Sequence, residues 1–471
     1  MSQMNISTIC STMRCYKLES VLDIVSDEYH KIFPAMISND ANELASRILP
    51  SELERITLIA LLYCDDEKHN LPHRFFLNFA ESIRNAIPSK LKSQRNNPNF
   101  VKYLLASQGG LQFRYQNSIH ILLTRYYFYF SYKSKKLDME KIIKDKLGIE
   151  WERMLCFCYL CFGLFCMQKK VLDEGLINIF EREINAICCD KEDICERIRR
   201  FAKNEEDLLT CFSPLVQYPF VKYNERLFLP LLYDVVPACT SSIIFRITEN
   251  DNSLREIIGK EVYEEYLYQT IFESGLFDEV EKERVYRSAK GEQRTEDVMC
   301  KKDDYYFLFD SKSFSPKTRG MTFDENSIDD DINRLSESLV QMYEHVTLKF
   351  GKEYKLINDN RDIDSQFVYG CVVIPEHLTY LCDDVFKMAA NNLGIQLETK
   401  EYKWFVKHID ICPISKIEEH CLLGIDFMAQ NNAESMHWFQ EIEYSGDELK
   451  ETHAIMSIEK KLREILEIYS R

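Results

Sequence analysis

The stretch that most constrains this chain is GEQRTEDVMCKKDDYYFLFDSK, from Gly291 to Lys312. Asp297 to Cys300 reads as a short strand, Lys301 to Asp304 as a polar turn and Tyr305 to Phe309 as a second apolar strand, so a hairpin is expected. It ends on Asp310-Ser311-Lys312. Side chains at i and i+2 of a strand share a face, which places Asp310 and Lys312 side by side. Asp297, at the start of the neighbouring strand, can then lie close to both. Two carboxylates and an ammonium at one spot are costly to bury. The usual gain is a divalent cation held by the oxygens, with the lysine handling a nucleophilic water or a phosphate.

Asp297, then twelve residues, then Asp310-x-Lys312 resembles the core of the PD-(D/E)xK nuclease superfamily, shared by type II restriction enzymes and many repair and phage-defence nucleases. The hairpin context matches the family; the family's proline before the first acid is replaced by Glu296. The resemblance spans about residues 253–415. It implies an α+β or α/β chain in which an all-helical N-terminal domain precedes a restriction-endonuclease-like three-layer core with a mixed central sheet. It also implies a metal-dependent nuclease using Mg²⁺ or Mn²⁺, with Asp297, Asp310, the carbonyl of Ser311 and a helix glutamate as ligands, and Lys312 serving the attacking water.

Leu254 to Phe272 reads as the helix preceding the hairpin, with Ile257, Ile258, Tyr263, Tyr266, Leu267, Thr270 and Ile271 available for a buried face. Glu264 falls at the edge of that stripe and is the candidate for the helix acid; Glu261 and Glu265 are its rivals. A further helix, Ile332 to Leu348, carries Gln341 and Tyr343. The exonuclease-like branch of the superfamily has a Gln and a Tyr there, but at a different spacing, so only Gln341 is carried over as a supporting catalytic residue.

DNA is the substrate the resemblance favours. RNA stays open, because the chemistry targets the phosphate and not the sugar. An effector of a prokaryotic phage-defence or restriction system, its helical half binding a second protein, is the context it suggests. The alternative reading is a catalytically silent nuclease-fold scaffold or binding module. Charge bears on the choice: 59 Lys+Arg against 76 Asp+Glu give a formal net charge of −17, which globally opposes binding to phosphates. A local patch must therefore serve. Lys282, Arg284, Arg287, Lys290, Arg294, Lys301, Lys302, Lys312, Lys317 and Arg319 supply one, with Arg287, Lys290, Arg294, Lys317 and Arg319 the nucleic-acid-binding candidates.

At 471 residues the chain has length for two or three domains. Residues 1–205 read as helical, with apolar residues at helical spacing and Ser51 with Glu54 as a capping box. Residues 206–252 read as a β-rich connector, 253–415 as the nuclease-like domain and 416–471 as a helical C-terminal segment suited to packing or to homo-oligomer formation. Lys90, Lys92 and Arg95 lie in the most loop-like part of the first half. Seventeen cysteines without a signal peptide point to reduced thiols and a cytoplasmic protein. Cys156, Cys158, Cys161 and Cys166 fall in an apolar run too short to span a bilayer, which suits a buried helix. His69 and His73 flank Pro72 and read as loop residues.

Val285 to Ala289 is the expected first strand of the nuclease-like domain, and Asp324 to Asp331 an expected charged loop. Phe367 to Ile374 is an apolar run fitting a strand buried on both faces. Phe405 to Ile411 is its expected partner, with a helix from Leu378 to Leu393 crossing between them.

Overall fold

The computed structural model describes residues 4–37, 47–64, 68–86, 118–169, 174–289, 291–313, 325–375, 382–427 and 452–469. The chain is a mixed α and β protein with a helical N-terminal region. Helices Leu18–Ile37, Pro50–Tyr63, His73–Arg84, Ile119–Ser131 and Trp151–Cys166 build that region around one apolar core. Trp151–Cys166 is the buried helix its composition predicts, with Cys156, Cys158 and Cys161 in the core, but Cys166, at its last position, is exposed. The capping box shifts by two residues: Pro50 opens its helix, and Glu52 reaches back to the Leu49 N–H at 3.0 Å. Proline at the first turn loses nothing there, because that N–H has no helical partner. Ser51 and Glu54 therefore lie inside the helix. His73 is helical too, and its Nε2 meets Glu28 at 2.8 Å.

The region is not wholly helical. Strand β1 (Cys188–Asp190) runs parallel to β2 (Phe220–Tyr223), which turns back antiparallel into β3 (Arg226–Phe228). Residues 206–252 hold only this hairpin as extended structure. The rest forms short helices, including Val235–Cys239 and Ser241–Thr248. Its apolar residues join the same core as the N-terminal helices, so it is part of that body and not a separate β connector.

The second half is organised by a five-stranded sheet in the order β10-β9-β8-β7-β4. These strands are β4 (Glu279–Lys282), β7 (Val298–Lys302), β8 (Tyr305–Ser311), β9 (Val368–Ile374) and β10 (Ile409–Pro413). β4, β7 and β8 pair antiparallel; β8, β9 and β10 pair parallel. The β7–β8 hairpin is as expected, with a shorter turn: Lys301 and Lys302 belong to the strand, and Asp303–Asp304 alone make the turn. Asp303 takes φ of 53°, a left-handed conformation that aspartate tolerates and tight hairpins demand. Val285–Ser288 (β5) is a strand, but it pairs with Gly291–Arg294 (β6) in a separate ribbon; the sheet edge is β4.

Residues 405–408 continue helix Lys400–His408, capped by Thr399, and β10 starts at Ile409. Helix Cys382–Leu393 lies between β9 and that helix. The charged loop expected from Asp324 to Asp331 is instead helical from Glu325 on, as the first turns of Glu325–Glu344, and Asp324 lies outside the described residues. Alternation along the strands sends Val298, Cys300, Phe307 and Phe309 to one face, against Tyr266, Leu267 and Ile271. Met299, Tyr306, Leu308, Val368 and Val372 go to the other, against Ile328, Ile332, Leu335 and Leu339 of Glu325–Glu344. Gly370 lets that helix approach: a Cβ there would stand 2.5 Å from Met342 Cγ.

The first face shares its core with the N-terminal helices, so the two halves are welded together. At the seam, Arg125 Nε donates to Glu418 Oε1 at 2.8 Å and its Nη2 donates to Oε2, while Tyr266 Oη donates to Oε1 at 2.6 Å. The C-terminal helix His453–Tyr469 packs back onto the N-terminal region, burying Ile455, Ile458, Leu462 and Ile465 and bonding Tyr159 to Glu459 at 2.8 Å. Among the described residues no helix is long and apolar enough to cross a membrane.

Candidate active site

The β7–β8 register pairs Val298 with Phe309, so one step beyond the ladder Asp297 stands opposite Asp310. The hairpin thus brings the two acids together through backbone geometry alone. Asp297 Oδ2 accepts from the Ser311 N–H at 2.6 Å. Lys312 Nζ meets Asp310 Oδ2 at 2.6 Å, and both side chains are partly exposed, so this end of β8 faces solvent. The Lys312 N–H donates to the Val373 carbonyl at 2.8 Å, tying the tip of β8 to β9.

The helix acid arrives from the other side. Asn252–Ile258 and Glu264–Ser274 are joined by a π-helical segment, Gly259–Tyr263. Such π-bulges rotate the residues that follow, and they recur at functional sites. Gly259 in this segment sits against Ser313, where a Cβ would be 2.8 Å from Ser313 Cβ. The three candidate glutamates then separate cleanly. Glu261 pairs with Lys136 at 2.8 Å, and Glu265 with Lys282 at 2.8 Å. Among the described residues Glu264 takes part in no ion pair, and its charge is felt by Asp297.

The electrostatics follow from this gathering of like charge. Burial, Glu283 and Asp310 push the Glu264 carboxyl up to about 7, against the pull of Lys260 and Arg294. Burial, Asp310 and Glu264 hold the Asp297 carboxyl well above the usual carboxylate range, although the Ser311 N–H and Lys312 oppose them. The three acids therefore feel one another's charge, and Lys312, paired with Asp310, is the counter-charge from the motif. As arranged, they do not form a closed ligand set. Among the described residues no three His, Cys, Asp or Glu side chains are placed to hold one ion together.

Gln341 is exposed on Glu325–Glu344; the same turn presents Met342 to the sheet. The basic patch is largely spent on internal pairs. Arg294 binds Glu283 at 2.6 Å, Lys282 binds Glu265, Lys301 binds Asp359 at 3.2 Å, and Lys302 binds Asp426. Arg287, on the β5–β6 ribbon, stays exposed. Lys290, Lys317 and Arg319 lie outside the described residues, as do Lys90, Lys92 and Arg95.

One cluster beside the site was not anticipated. Glu296, adjacent to Asp297, is buried; Tyr354 Oη lies 2.7 and 2.6 Å from its two oxygens, and His345 Nδ1 pairs with Glu296 and lies 3.0 Å from Tyr354 Oη. Lys349 Nζ stands 2.7 Å from His345 Nε2. Burial and Lys349 pull the His345 imidazole down to about 4, so it is neutral at pH 7. The only signal in the sequence was an acid in the family's proline position; His345 and Tyr354 have no local mark. No family model, curated protein or solved structure matches the chain.

Proposed function

We propose that the protein is a metal-dependent nuclease with a restriction-endonuclease-like core, in which Asp297, Asp310, Lys312 and Glu264 form the active centre. The observation that carries this reading is the pair of acids that the β7–β8 register sets opposite one another, Asp297 and Asp310, with Lys312 against Asp310 and the charge of Glu264, from the π-bulged helix, felt at Asp297. The donor chemistry fits a hard cation. Mg²⁺ takes oxygen ligands, keeps several waters and needs only one or two protein carboxylates, so it does not require a preformed cage. Asp297 and Asp310, with the Ser311 carbonyl and Glu264, would hold Mg²⁺ or Mn²⁺. A bound cation of this kind acidifies water and neutralises charge on a phosphodiester. Lys312 positions the attacking water and supplies positive charge beside the phosphate. The Ser311 N–H keeps the Asp297 carboxylate turned toward Asp310.

DNA is the proposed substrate. Among the described residues Arg287 and Arg294 are the exposed candidate contacts, Arg294 being paired with Glu283, against a net charge of −17. A partner protein bound through the helical half, as in a prokaryotic defence system, belongs to the same proposal. The test incubates the full chain and its Asp310→Ala and Lys312→Ala variants with plasmid, linear DNA, single-stranded DNA and RNA, with Mg²⁺ or Mn²⁺ and then with EDTA. Cleavage by the parent is expected to be lost in both variants and on chelation, with folding intact by circular dichroism. Variants that cut at the parental rate would sink the site assignment. Cleavage of RNA alone would change the substrate, and no cleavage with no metal uptake would leave a scaffold.

A further inference from the structure

Resting on the metal-site reading above, we propose that Glu296 is a positioning residue for Asp297: a buried acid, gripped by Tyr354 and His345, that locks the backbone carrying the first metal-facing carboxylate. Proton bookkeeping fixes the direction of each bond. Lys349 is an ammonium with protons only to give, so His345 Nε2 accepts at 2.7 Å and the ring proton sits on Nδ1. Nδ1–H then faces both Glu296, against which it packs, and Tyr354 Oη at 3.0 Å, while Tyr354 Oη donates its one proton to the Glu296 carboxylate. Both donors come from chain distant in sequence: His345 and Lys349 from a π-helical segment that continues Glu325–Glu344, and Tyr354 from the loop beyond it.

The same residues are held from the opposite side. The Glu283 N–H donates to the Asp297 carbonyl at 2.9 Å, the Thr295 N–H to the Arg284 carbonyl at 3.0 Å, and the Arg284 N–H to Thr295 Oγ1 at 3.0 Å. Residues 295–297 are thus clamped between β4's end and the long helix, with Glu296 as the only side chain of the three directed at that helix's end. Tyr354 is itself set by Tyr286 of the ribbon, with ring centroids 4.7 Å apart. An apolar residue in the place of Glu296 would be cheaper to bury. A fully hydrogen-bonded acid gains direction instead, which is what a ligand-bearing turn needs.

The test measures Mn²⁺ binding to the full chain by titration calorimetry, beside thermal unfolding of each variant. Removing such a supporting contact typically weakens metal affinity about 10–100-fold, and this loss is expected for Glu296→Ala and Tyr354→Phe. Glu296→Gln, which keeps an acceptor for His345, is expected to stay near the parent, and Asp297→Ala to abolish uptake. Tyr354→Phe removes only the hydroxyl and keeps the ring packed, so it reports even if Glu296→Ala fails to fold. A parental Kd in Tyr354→Phe, or a Glu296→Gln variant as weak as the tyrosine variant, overturns the positioning role while leaving the metal site standing. A parent that takes up no Mn²⁺ overturns the metal site, and the positioning role with it.

Discussion

Asp359 shows how single side chains tie a loop to the interior strands β7 and β8. Burial works against its charged form, but Arg361, Tyr306 and Lys301 together outweigh it and hold the carboxyl well below its ordinary range. A folded-state pKa depressed in this way contributes stability that is fully present above the unfolded value of about 4 and is lost as pH falls toward the folded value. The thermal midpoint of the parent is therefore expected to drop as pH is lowered below about 4, with a shallower drop in Asp359→Asn. Equal acid limbs would show that the Asp359 cluster contributes nothing to the pH dependence. Residue-scale legibility was uneven. Asp310 and Lys312 were readable because a strand's two-residue period is local. Glu264 was the candidate at the edge of the apolar stripe, but Glu261 and Glu265 stayed its rivals, because a π-helical segment from Gly259 to Tyr263 changes the helical phase around them.

The element that decides the site is the bulged helix meeting the tip of β8. Gly259→Ala tests that contact, and two effects compete. Replacing glycine in a helix is favourable by about 1 kcal/mol, whereas overpacking a tight contact costs about 1–3 kcal/mol. With a Cβ placed 2.8 Å from Ser313 Cβ, overpacking is expected to win, lowering the urea midpoint by a net cost of about 1 kcal/mol. A variant as stable as the parent would mean that the helix and the strand tip do not touch this closely. Element boundaries were lost from the sequence where two signals overlapped. Residues 405–411 are apolar enough for a strand, yet Thr399 caps a helix that runs to His408 first. Val285–Ser288 is extended as expected, but which partner it takes is a tertiary choice.

At the scale of the whole molecule, the helical half and the sheet share one core, and the Arg125–Glu418–Tyr266 bonds cross the seam. Burial and Glu418 dominate the Arg125 environment, and the guanidinium stays charged, its pKa raised well above normal. Removing one partner of a buried pair leaves the other charge uncompensated and costs about 3–5 kcal/mol. Arg125→Ala is expected to destabilise both halves together by that amount, measured as one cooperative urea transition shifted down. Two separate transitions in the parent would contradict the shared core.

The sequence by itself determined the helical character of the first half, the β7–β8 hairpin and the adjacency of Asp310 and Lys312, because each depends on a period of two or 3.6 residues within one segment. Only the tertiary structure decided that Glu264 and not its neighbours approaches Asp297, that the basic side chains are spent on Glu283, Glu265, Asp359 and Asp426, and that Glu296 is held by His345 and Tyr354. Those outcomes depend on which surfaces meet across long separations in the chain. Charge pairing and burial are settled there by packing, which no local pattern encodes.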